Sequence, residues 1–157
     1  MSETLKTLRK LAKIASEVMG DGSQFYVPRK PVNNFLVVMS GGKIRAHVRK
    51  NADKLSCLFA LTGAIIDEIR GANKEFGGSV WFGYEDEDVF VVGLWAYKAP
   101  QYDTAWEVRL KGDRVILKKT DWGIKPIEGK EEEMSIRDYF ARLVNALLLL
   151  KEVSKND

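Results

Sequence analysis

The sequence is poor in the residues that disulfides, zinc clusters and catalytic dyads require. Its 157 residues include one cysteine, Cys57, and one histidine, His47. A single cysteine excludes a disulfide or a cysteine-based zinc cluster within one chain, and it is typical of a reducing compartment. We therefore expect a cytoplasmic protein that carries no metal or other cofactor.

Long apolar runs are also missing. Nowhere do eighteen apolar residues follow one another, and the N-terminal MSETLKTLRKLAKIASEV alternates charged with apolar residues. These features argue against a membrane span and an export signal. Glutamine occurs only at Gln24 and Gln101, whereas lysine and glutamate are plentiful, a composition typical of proteins from thermophiles.

Motifs of nucleotide hydrolysis and covalent catalysis are absent. Gly41-Gly42-Lys43 lacks the upstream glycine and the following Ser or Thr of a phosphate-binding P-loop, and no GxGxxG opens a helix. Cys57 and His47 are predicted on a helix and a strand, so their meeting as a pair would be a coincidence of folding. We expect no catalytic residue. A divalent cation at the acidic turn 85–88 would instead indicate a metal-dependent nuclease, although consecutive turn side chains diverge.

Charge is unevenly distributed along the chain. The net charge is +3, but residues 1–50 hold ten Lys/Arg against three Asp/Glu, which leaves residues 51–157 at −4. Such asymmetry indicates a polyanion or an acidic partner for the first third.

Three helices are predicted from hydrophobic periodicity. Residues 3–19 form a basic amphipathic helix, and residues 53–75 form a long core helix that is apolar far around its axis. The third helix runs from about 136 to 153, after a capping sequence that begins with Ser135 and places Asp138 three residues later.

Three hairpins are predicted, around the pair Gly41-Gly42, the acidic tetrad Glu85–Asp88 and the pair Gly112-Asp113. In the last of these, Leu110 faces Val115, Val108 faces Leu117, and Glu107 faces Lys118. The order of helices and hairpins predicts an α+β fold with an antiparallel sheet built from hairpins.

The first hairpin has one basic face. A two-residue Gly-Gly loop places Phe35, Val37, Met39, Ile44, Ala46 and Val48 on the core side. The other side then carries Leu36 and Val38 with four cation-capable residues: Lys43, Arg45, His47 and Arg49. Because like charges at period two repel one another, this strip favours a phosphate-binding surface, and the alternative is an edge strand protected by charge.

The second hairpin, SVWFGYEDEDVFVVGLWAYK, concentrates aromatic residues. Pairing of Tyr84 with Val89 gives one face the residues Val80, Phe82, Tyr84, Val89, Val91, Gly93, Trp95 and Tyr97. The four aromatics among them, Phe82, Tyr84, Trp95 and Tyr97, would stack on nucleobases, or else they would pack against a helix of the same protein.

The C-terminal helix has an apolar seam with spacings of four and three. Its members are Ile136, Phe140, Leu143, Leu147 and Leu150. The run Leu147 to Leu150 leaves no polar side on its turn. We interpret the seam as a short leucine zipper that joins at least two copies of the chain, with full burial within one chain as the alternative.

Aromatic faces together with a basic strand are the combination that binds single-stranded nucleic acid without base-specific hydrogen bonds. The aromatic strands SVWFGY and VFVVGLWAY, the basic N-terminal part and the helix ARLVNALLLLKEV resemble the archaeal ThermoDBP family of single-stranded DNA-binding proteins. The resemblance implies a non-catalytic homo-oligomer that holds single-stranded DNA, or RNA in some relatives, along an aromatic and basic cleft.

This interpretation divides the chain into a nucleic-acid-binding α+β domain at 1–134 and a dimerisation helix at 135–157. The order of a basic helix, a hairpin, a long apolar helix and another hairpin is also similar to Roadblock-type scaffolds, which dimerise and regulate partner proteins. That alternative predicts protein binding through apolar surface and no response to oligonucleotides.

Overall fold

The computed structural model describes residues 2–20, 23–71, 78–121, 125–126 and 131–153. The chain divides into two compact units, 1–69 and 70–157, which we describe separately. The boundary predicted after residue 134 does not coincide with this division, because the C-terminal helix belongs to the second unit. Both units combine helices with antiparallel strands, which confirms the α+β class.

Helix α1 of the first unit spans Glu3–Met19, as predicted. It begins where the Ser2 hydroxyl accepts a hydrogen bond from the Leu5 amide at 3.1 Å, which satisfies one of the unpaired amides of the first turn. Its buried stripe is Thr4, Leu5, Leu8, Leu11, Ala12 and Ala15.

Helix α2 spans Lys54–Arg70, while residues 72–75 of the predicted 53–75 helix lie outside the described residues. Asp53 caps it by accepting a hydrogen bond from the Ser56 amide at 2.8 Å. Its buried residues surround most of the axis, as the prediction of a core helix required, and include Leu58, Leu61, Ala64 and Ile65.

Strands β1 (Phe35–Ser40) and β2 (Lys43–Arg49) form a two-stranded sheet. Gly41 and Gly42 both have positive φ, at 59° and 74°, so the predicted Gly-Gly turn is confirmed. Beyond Met39 the register shifts by one, and Val38 pairs with Ala46. This β-bulge exchanges the faces of β1 relative to β2, so that Leu36 and Val38 are buried on the side of Val48. Phe35 and Val37 lie on the side of Arg49 and His47, and Val37 is still buried, as predicted, at 4% exposure.

The second unit contains a sheet in the order β3, β4, β5, β6, and β6 also pairs with the short strands β7 and β8. The bounds are β3 Gly78–Asp86, β4 Val89–Ala96, β5 Thr104–Lys111, β6 Arg114–Asp121, β7 Lys125–Pro126 and β8 Glu132–Ser135, with a 3₁₀ turn at Pro100–Tyr102. The β5–β6 register confirms the prediction, since Leu110 pairs with Val115 and Glu107 pairs with Lys118.

The β3–β4 register corrects the prediction. Asp86 pairs with Val89, a bulge follows at Glu85, and Tyr84 therefore pairs with Phe90 instead of Val89. One residue of shift exchanges the faces of the whole strand, because side chains alternate along it. Phe82 and Tyr84 consequently share a face with Val92 and Leu94, and Trp95 lies on the opposite face.

Helix α3 spans Ile136–Val153 as predicted, and the Ser135 hydroxyl accepts a hydrogen bond from the Asp138 amide at 3.0 Å. The helix packs on the face of the sheet that carries Phe90, Val92 and Leu94, which we call the helix face. At its C-terminal end, Leu150 lies so close to Gly78 that a Cβ on this glycine would meet the leucine side chain at 2.6 Å.

This packing corrects the predicted oligomerisation seam. Phe140, Leu143 and Leu147 are fully buried and Leu150 is 3% exposed, while Ile136 is half-buried. The four-and-three spacing produces one apolar stripe, and such a stripe fits a sheet of the same unit as well as it fits a second helix. The all-apolar turn divides accordingly, with Leu148 and Leu149 directed to solvent at 49% and 44% exposure.

An ion pair joins α3 to strand β8. Arg142 Nη2 lies 2.7 Å from Glu132 Oε2. The hydrogen bond and positive charge of Arg142 lower the pKa of Glu132 below its usual range.

Among the described residues, no helix combines the length and apolar character needed to cross a membrane.

Candidate nucleic-acid interface

The side of the second unit's sheet opposite α3 exposes two tryptophans, and we call it the tryptophan face. Trp81 is 52% exposed and Trp95 is 45% exposed. Trp81 lies opposite Gly93, and Trp95 lies two residues further along the same strand as Gly93. The two side chains are therefore diagonal cross-strand neighbours, a separation that large aromatic side chains bridge.

A glycine positions the indole of Trp81. A Cβ built on Gly83 would lie 3.0 Å from Cζ2 of Trp81, so the ring extends along β3 over this residue. Any larger residue at 83 would push the ring away from the sheet. The absence of a side chain at Gly83 thus lets the Trp81 ring lie close against the backbone of β3.

Cations continue the tryptophan face across β5 and β6. The pairing places Val91, Glu107 and Lys118 in one row across the sheet, and Arg109 and Ile116 in the next. The Arg109 side chain is 48% exposed and its Nη2 lies 3.8 Å from Glu107 Oε2. The cations of this face are Arg109, Lys111, Arg114 and Lys118, and the acids that pair with them are Glu107 and Glu133.

Part of the tryptophan face is closed to solvent. Val91, Ala105 and Thr120 are exposed by only 6%, 2% and 8%. Accessible aromatic surface is therefore concentrated on β3 and β4, while accessible charge lies on β5 and β6. Neighbouring strands are about 4.8 Å apart, so Lys118, three strands from Trp81, lies about 14 Å from it across the sheet.

A carboxylate pair borders the tryptophan face at the β3 bulge. Partial desolvation and the neighbouring Glu107, through its charge and a side-chain hydrogen bond, raise the pKa of Glu85 above its usual range, and Arg109 opposes the shift. The first residue of the acidic turn 85–88 is exposed and interacts with Glu107 of β5.

The aromatic residues predicted from the sequence do not form one platform. Phe82 is half-buried on the helix face, and Tyr84, at 44% exposure, makes an edge contact with Phe90 at 6.2 Å between ring centroids. Tyr97 lies in the turn after β4 with 69% exposure. Of the four, only Trp95 lies on the tryptophan face.

In the first unit, Arg45 is withdrawn from the predicted basic strip. Its side chain is 14% exposed, and it forms ion pairs with Asp67 at 2.9 Å and with Glu68 at 2.8 Å, both on α2. Its Nε also donates to the Ser40 carbonyl at 3.3 Å. Arg45 is the bulge residue of β2, and its charge is neutralised by carboxylates, so it has a structural role within the unit.

The other predicted cations of β2 are exposed. His47 and Arg49 lie on the same face of the hairpin, and Lys43 lies beside the Gly-Gly turn. The His47 ring makes an edge contact with Phe35 at 5.0 Å. This hairpin therefore offers three of the four predicted cation-capable side chains to solvent, without an exposed tryptophan beside them in this unit.

Sequence reasoning missed Trp81, Arg109 and Lys118. The strand alternation carried the signal, but the unrecognised bulge at Glu85 placed Trp81 on the face opposite Trp95. Arg109 and Lys118 were placed on β5 and β6 with the correct register, and their shared face with Trp81 follows only when the β3–β4 register is known.

Neither a metal cluster nor a reactive thiol is found in the described part of the chain. No group of three or more His, Cys, Asp or Glu side chains among the described residues is placed to hold a metal ion. Burial, together with the charge of Asp53, raises the pKa of the Cys57 thiol to about 12. Cys57 is therefore a neutral core residue at physiological pH.

Comparisons with protein-family models, with curated proteins and with solved structures each find no match for this chain.

Proposed function

We propose that the protein binds single-stranded nucleic acid, without catalysis, through the tryptophan face of its second unit. The observation that carries this proposal is the exposure of Trp81 and Trp95 as neighbours on one side of a sheet. Two half-exposed tryptophans side by side are costly in water unless a ligand covers them. Unpaired bases are suitable ligands, because every base has a flat surface that stacks on an indole.

The cations support the same ligand class. Arg109 and Lys118 lie on the tryptophan face two and three strands from Trp81. Phosphates of a strand whose bases stack on the tryptophans would cross β5 and β6 near these side chains. The contacts involve ring faces and point charges, so the proposed recognition is largely independent of base sequence. The resemblance to ThermoDBP favours DNA over RNA as the strand.

The test is a titration of tryptophan emission with single-stranded and duplex oligonucleotides of equal length. Single strands should quench the emission, and duplex should bind far less, because its bases are already stacked. Trp81→Ala and Trp95→Ala should each weaken binding by about 1–3 kcal/mol. Tyr102→Ala is the matched control, because Tyr102 is 43% exposed but lies in the 3₁₀ turn.

Adjacent lysines on β6 provide a test of the phosphate contacts. Lys118 lies on the tryptophan face and Lys119 lies on the opposite side of the same strand. Lys118→Ala should flatten the dependence of log affinity on log salt by up to about 0.7 for a single strand, and Lys119→Ala should not. Equal effects of the two substitutions, or equal binding of duplex and single strand, would contradict the proposed site.

A second candidate function is a dimeric scaffold of the Roadblock kind, which the exposed pair Leu148 and Leu149 favours. Adjacent exposed leucines on the outer side of α3 form an apolar patch that a second copy would cover. Light scattering tests the dimer that this candidate requires, and the oligonucleotide titration separates it from nucleic-acid binding. Leu148→Glu with Leu149→Glu should lower the molecular mass of a dimer to that of the 17.8 kDa chain; a wild-type monomer at tens of micromolar would exclude this candidate.

A further inference from the structure

The first unit contains a groove between α1 and the extended segment that follows it. Its volume is about 520 Å³. Small-molecule sites usually occupy about 300–1,000 Å³, so the groove has the size of a ligand site. Two segments line it: Arg9, Ala12, Lys13 and Ser16 come from α1, and Gln24, Phe25, Tyr26 and Val27 come from the segment.

Hydrogen bonds fix both walls of this groove. Ser16 Oγ accepts from the Phe25 amide at 2.8 Å and donates to the Ala12 carbonyl at 2.8 Å. Arg9 Nε donates to the Val27 carbonyl at 3.1 Å. The segment is therefore tied to the helix at two points, and a ligand would not have to order it.

The far side of the segment is also held. The Tyr26 amide donates to the Met39 carbonyl at 2.9 Å, and the Met39 amide donates to the Tyr26 carbonyl at 2.8 Å. This bridge fixes the backbone of Tyr26 against β1 and leaves its side chain 49% exposed at the groove. A phenol ring with a fixed backbone is a ready surface for a flat ligand.

The chemistry of the groove changes from floor to rim. Its floor is apolar, because Ala12, Phe25 and Val27 are exposed by only 2%, 5% and 5%. Its rim carries the cations Arg9 and Lys13, and no carboxylate is among the described residues that line it. An apolar floor favours a flat apolar body, and two cations without an acid favour an anionic group on the same molecule.

We propose that this groove binds a nucleotide-sized organic phosphate. Its flat ring lies on the apolar floor beside Tyr26, and its phosphate contacts Lys13 and the guanidinium of Arg9. The bond from Arg9 Nε to Val27 orients the guanidinium, and Lys13 adds a mobile point charge. The site lies wholly in the first unit, so it does not depend on the tryptophan face of the second.

The test uses nuclear magnetic resonance of the full chain with adenosine monophosphate as the probe. We expect saturable shifts of the amides of Ala12 and residues 24–27. Adenosine and inorganic phosphate should each bind at least about tenfold more weakly, because each lacks one half of the recognised molecule. Equal binding of adenosine and the monophosphate would overturn the proposal. So would a failure to saturate at about 10 mM of the monophosphate, because the binding free energy would then be weaker than about −3 kcal/mol.

Two lysines of α1 form a matched pair of variants. Lys13→Glu should weaken binding of the monophosphate by at least about tenfold, because an attractive contact becomes a repulsive one. Lys10 is also exposed on α1 but does not line the groove, so Lys10→Glu should change binding by less than about twofold at 0.15 M salt. Equal losses in both variants would show general attraction of anions and would overturn the site.

Further variants separate this site from the tryptophan face and guard against unfolding. Tyr26→Ala removes the ring, while the backbone bridge to Met39 remains. This variant should bind the monophosphate more weakly and should keep its melting temperature. Trp81→Ala should leave monophosphate binding unchanged. Loss of monophosphate binding in Trp81→Ala, together with unchanged binding in Tyr26→Ala, would place the ligand on the other unit and overturn the proposal.

Discussion

The two faces of the second unit's sheet are built from alternating residues of the same strands, yet they differ in how they meet solvent. On the helix face, Phe90, Val92 and Leu94 are exposed by 1% or less beneath α3. On the tryptophan face, Trp81 and Trp95 remain about half exposed. The first face therefore contributes burial energy to the fold, while the second keeps apolar surface available for a partner. Substitutions on the two faces should have different consequences.

The largest expected effect is on the helix face. Phe140 of α3 is fully buried, so Phe140→Ala should lower the free energy of unfolding by about 3–5 kcal/mol, through lost burial and the cavity left behind. Leu148→Ala on the exposed side of the same helix should change it by less than about 0.5 kcal/mol. Denaturant unfolding measures both, and similar losses for the two variants would mean that α3 does not pack as described.

Two glycines of β3 sharpen the comparison. A Cβ on Gly78 would clash with the Trp95 carbonyl oxygen and with Leu150 of α3, so Gly78→Ala should destabilise the fold by about 1–3 kcal/mol. The three atoms nearest to a Cβ on Gly83 all belong to the Trp81 side chain, which can rotate away. Gly83→Ala should therefore cost less than about 1 kcal/mol in stability and should shift the Trp81 emission instead. The reverse ranking of the two melting temperatures would contradict the assigned faces.

Trp81 and Trp106 lie on opposite faces of the sheet and differ in burial. Trp106 is 4% exposed on the helix face, and its replacement by Ala should cost about 3–5 kcal/mol of stability. Trp81→Ala should cost about 1 kcal/mol or less, because half of its surface is already in water. A measured loss for Trp81 as large as that for Trp106 would make the tryptophan face part of the core and would remove the basis of the proposed function.

The smallest expected effect concerns pH at the edge of the tryptophan face. Desolvation and Glu107 raise the pKa of Glu85 in the folded protein, so protonation of Glu85 favours folding. The stability that this proton confers is present below the ordinary glutamate pKa of about 4.3 and is lost as the pH rises through the raised folded value.

Glu85→Gln removes this titration and should flatten the decline of melting temperature as the pH rises above about 4.3. Asp88→Asn, at the tip of the same turn, is the matched control for loss of one negative charge. Identical pH profiles of the wild type and Glu85→Gln would contradict the carboxylate pair.

The hairpins show what sequence reasoning captured and why it failed elsewhere. The β5–β6 register was predicted correctly because no bulge interrupts it, so alternation from the Gly112-Asp113 turn holds along both strands. The other two hairpins contain bulges at Arg45 and Glu85, and no residue type announces a bulge at either position. In the second hairpin, the one-residue shift brought Trp81 to the same face as Trp95, whereas the prediction had placed them on opposite faces.

Helix α3 illustrates a different ambiguity. Its span and its Ser135 cap were predictable from local chemistry, since both depend on residues close in sequence. The partner of its apolar stripe was not, because Leu143 and Leu147 would be buried equally by a sheet or by a second helix. Periodicity identifies a buried side of a helix, and only the tertiary fold identifies what buries it.

The described tryptophans on the two faces of the sheet should differ in their fluorescence. The indole of Trp106 lies in an apolar core and should emit at shorter wavelength, out of reach of aqueous iodide, whereas Trp81 and Trp95 should emit at longer wavelength and be quenched by it. The short-wavelength signal then follows unfolding, and the long-wavelength signal follows ligand occupancy of the sheet. The three described tryptophans thus report folding and binding at different wavelengths.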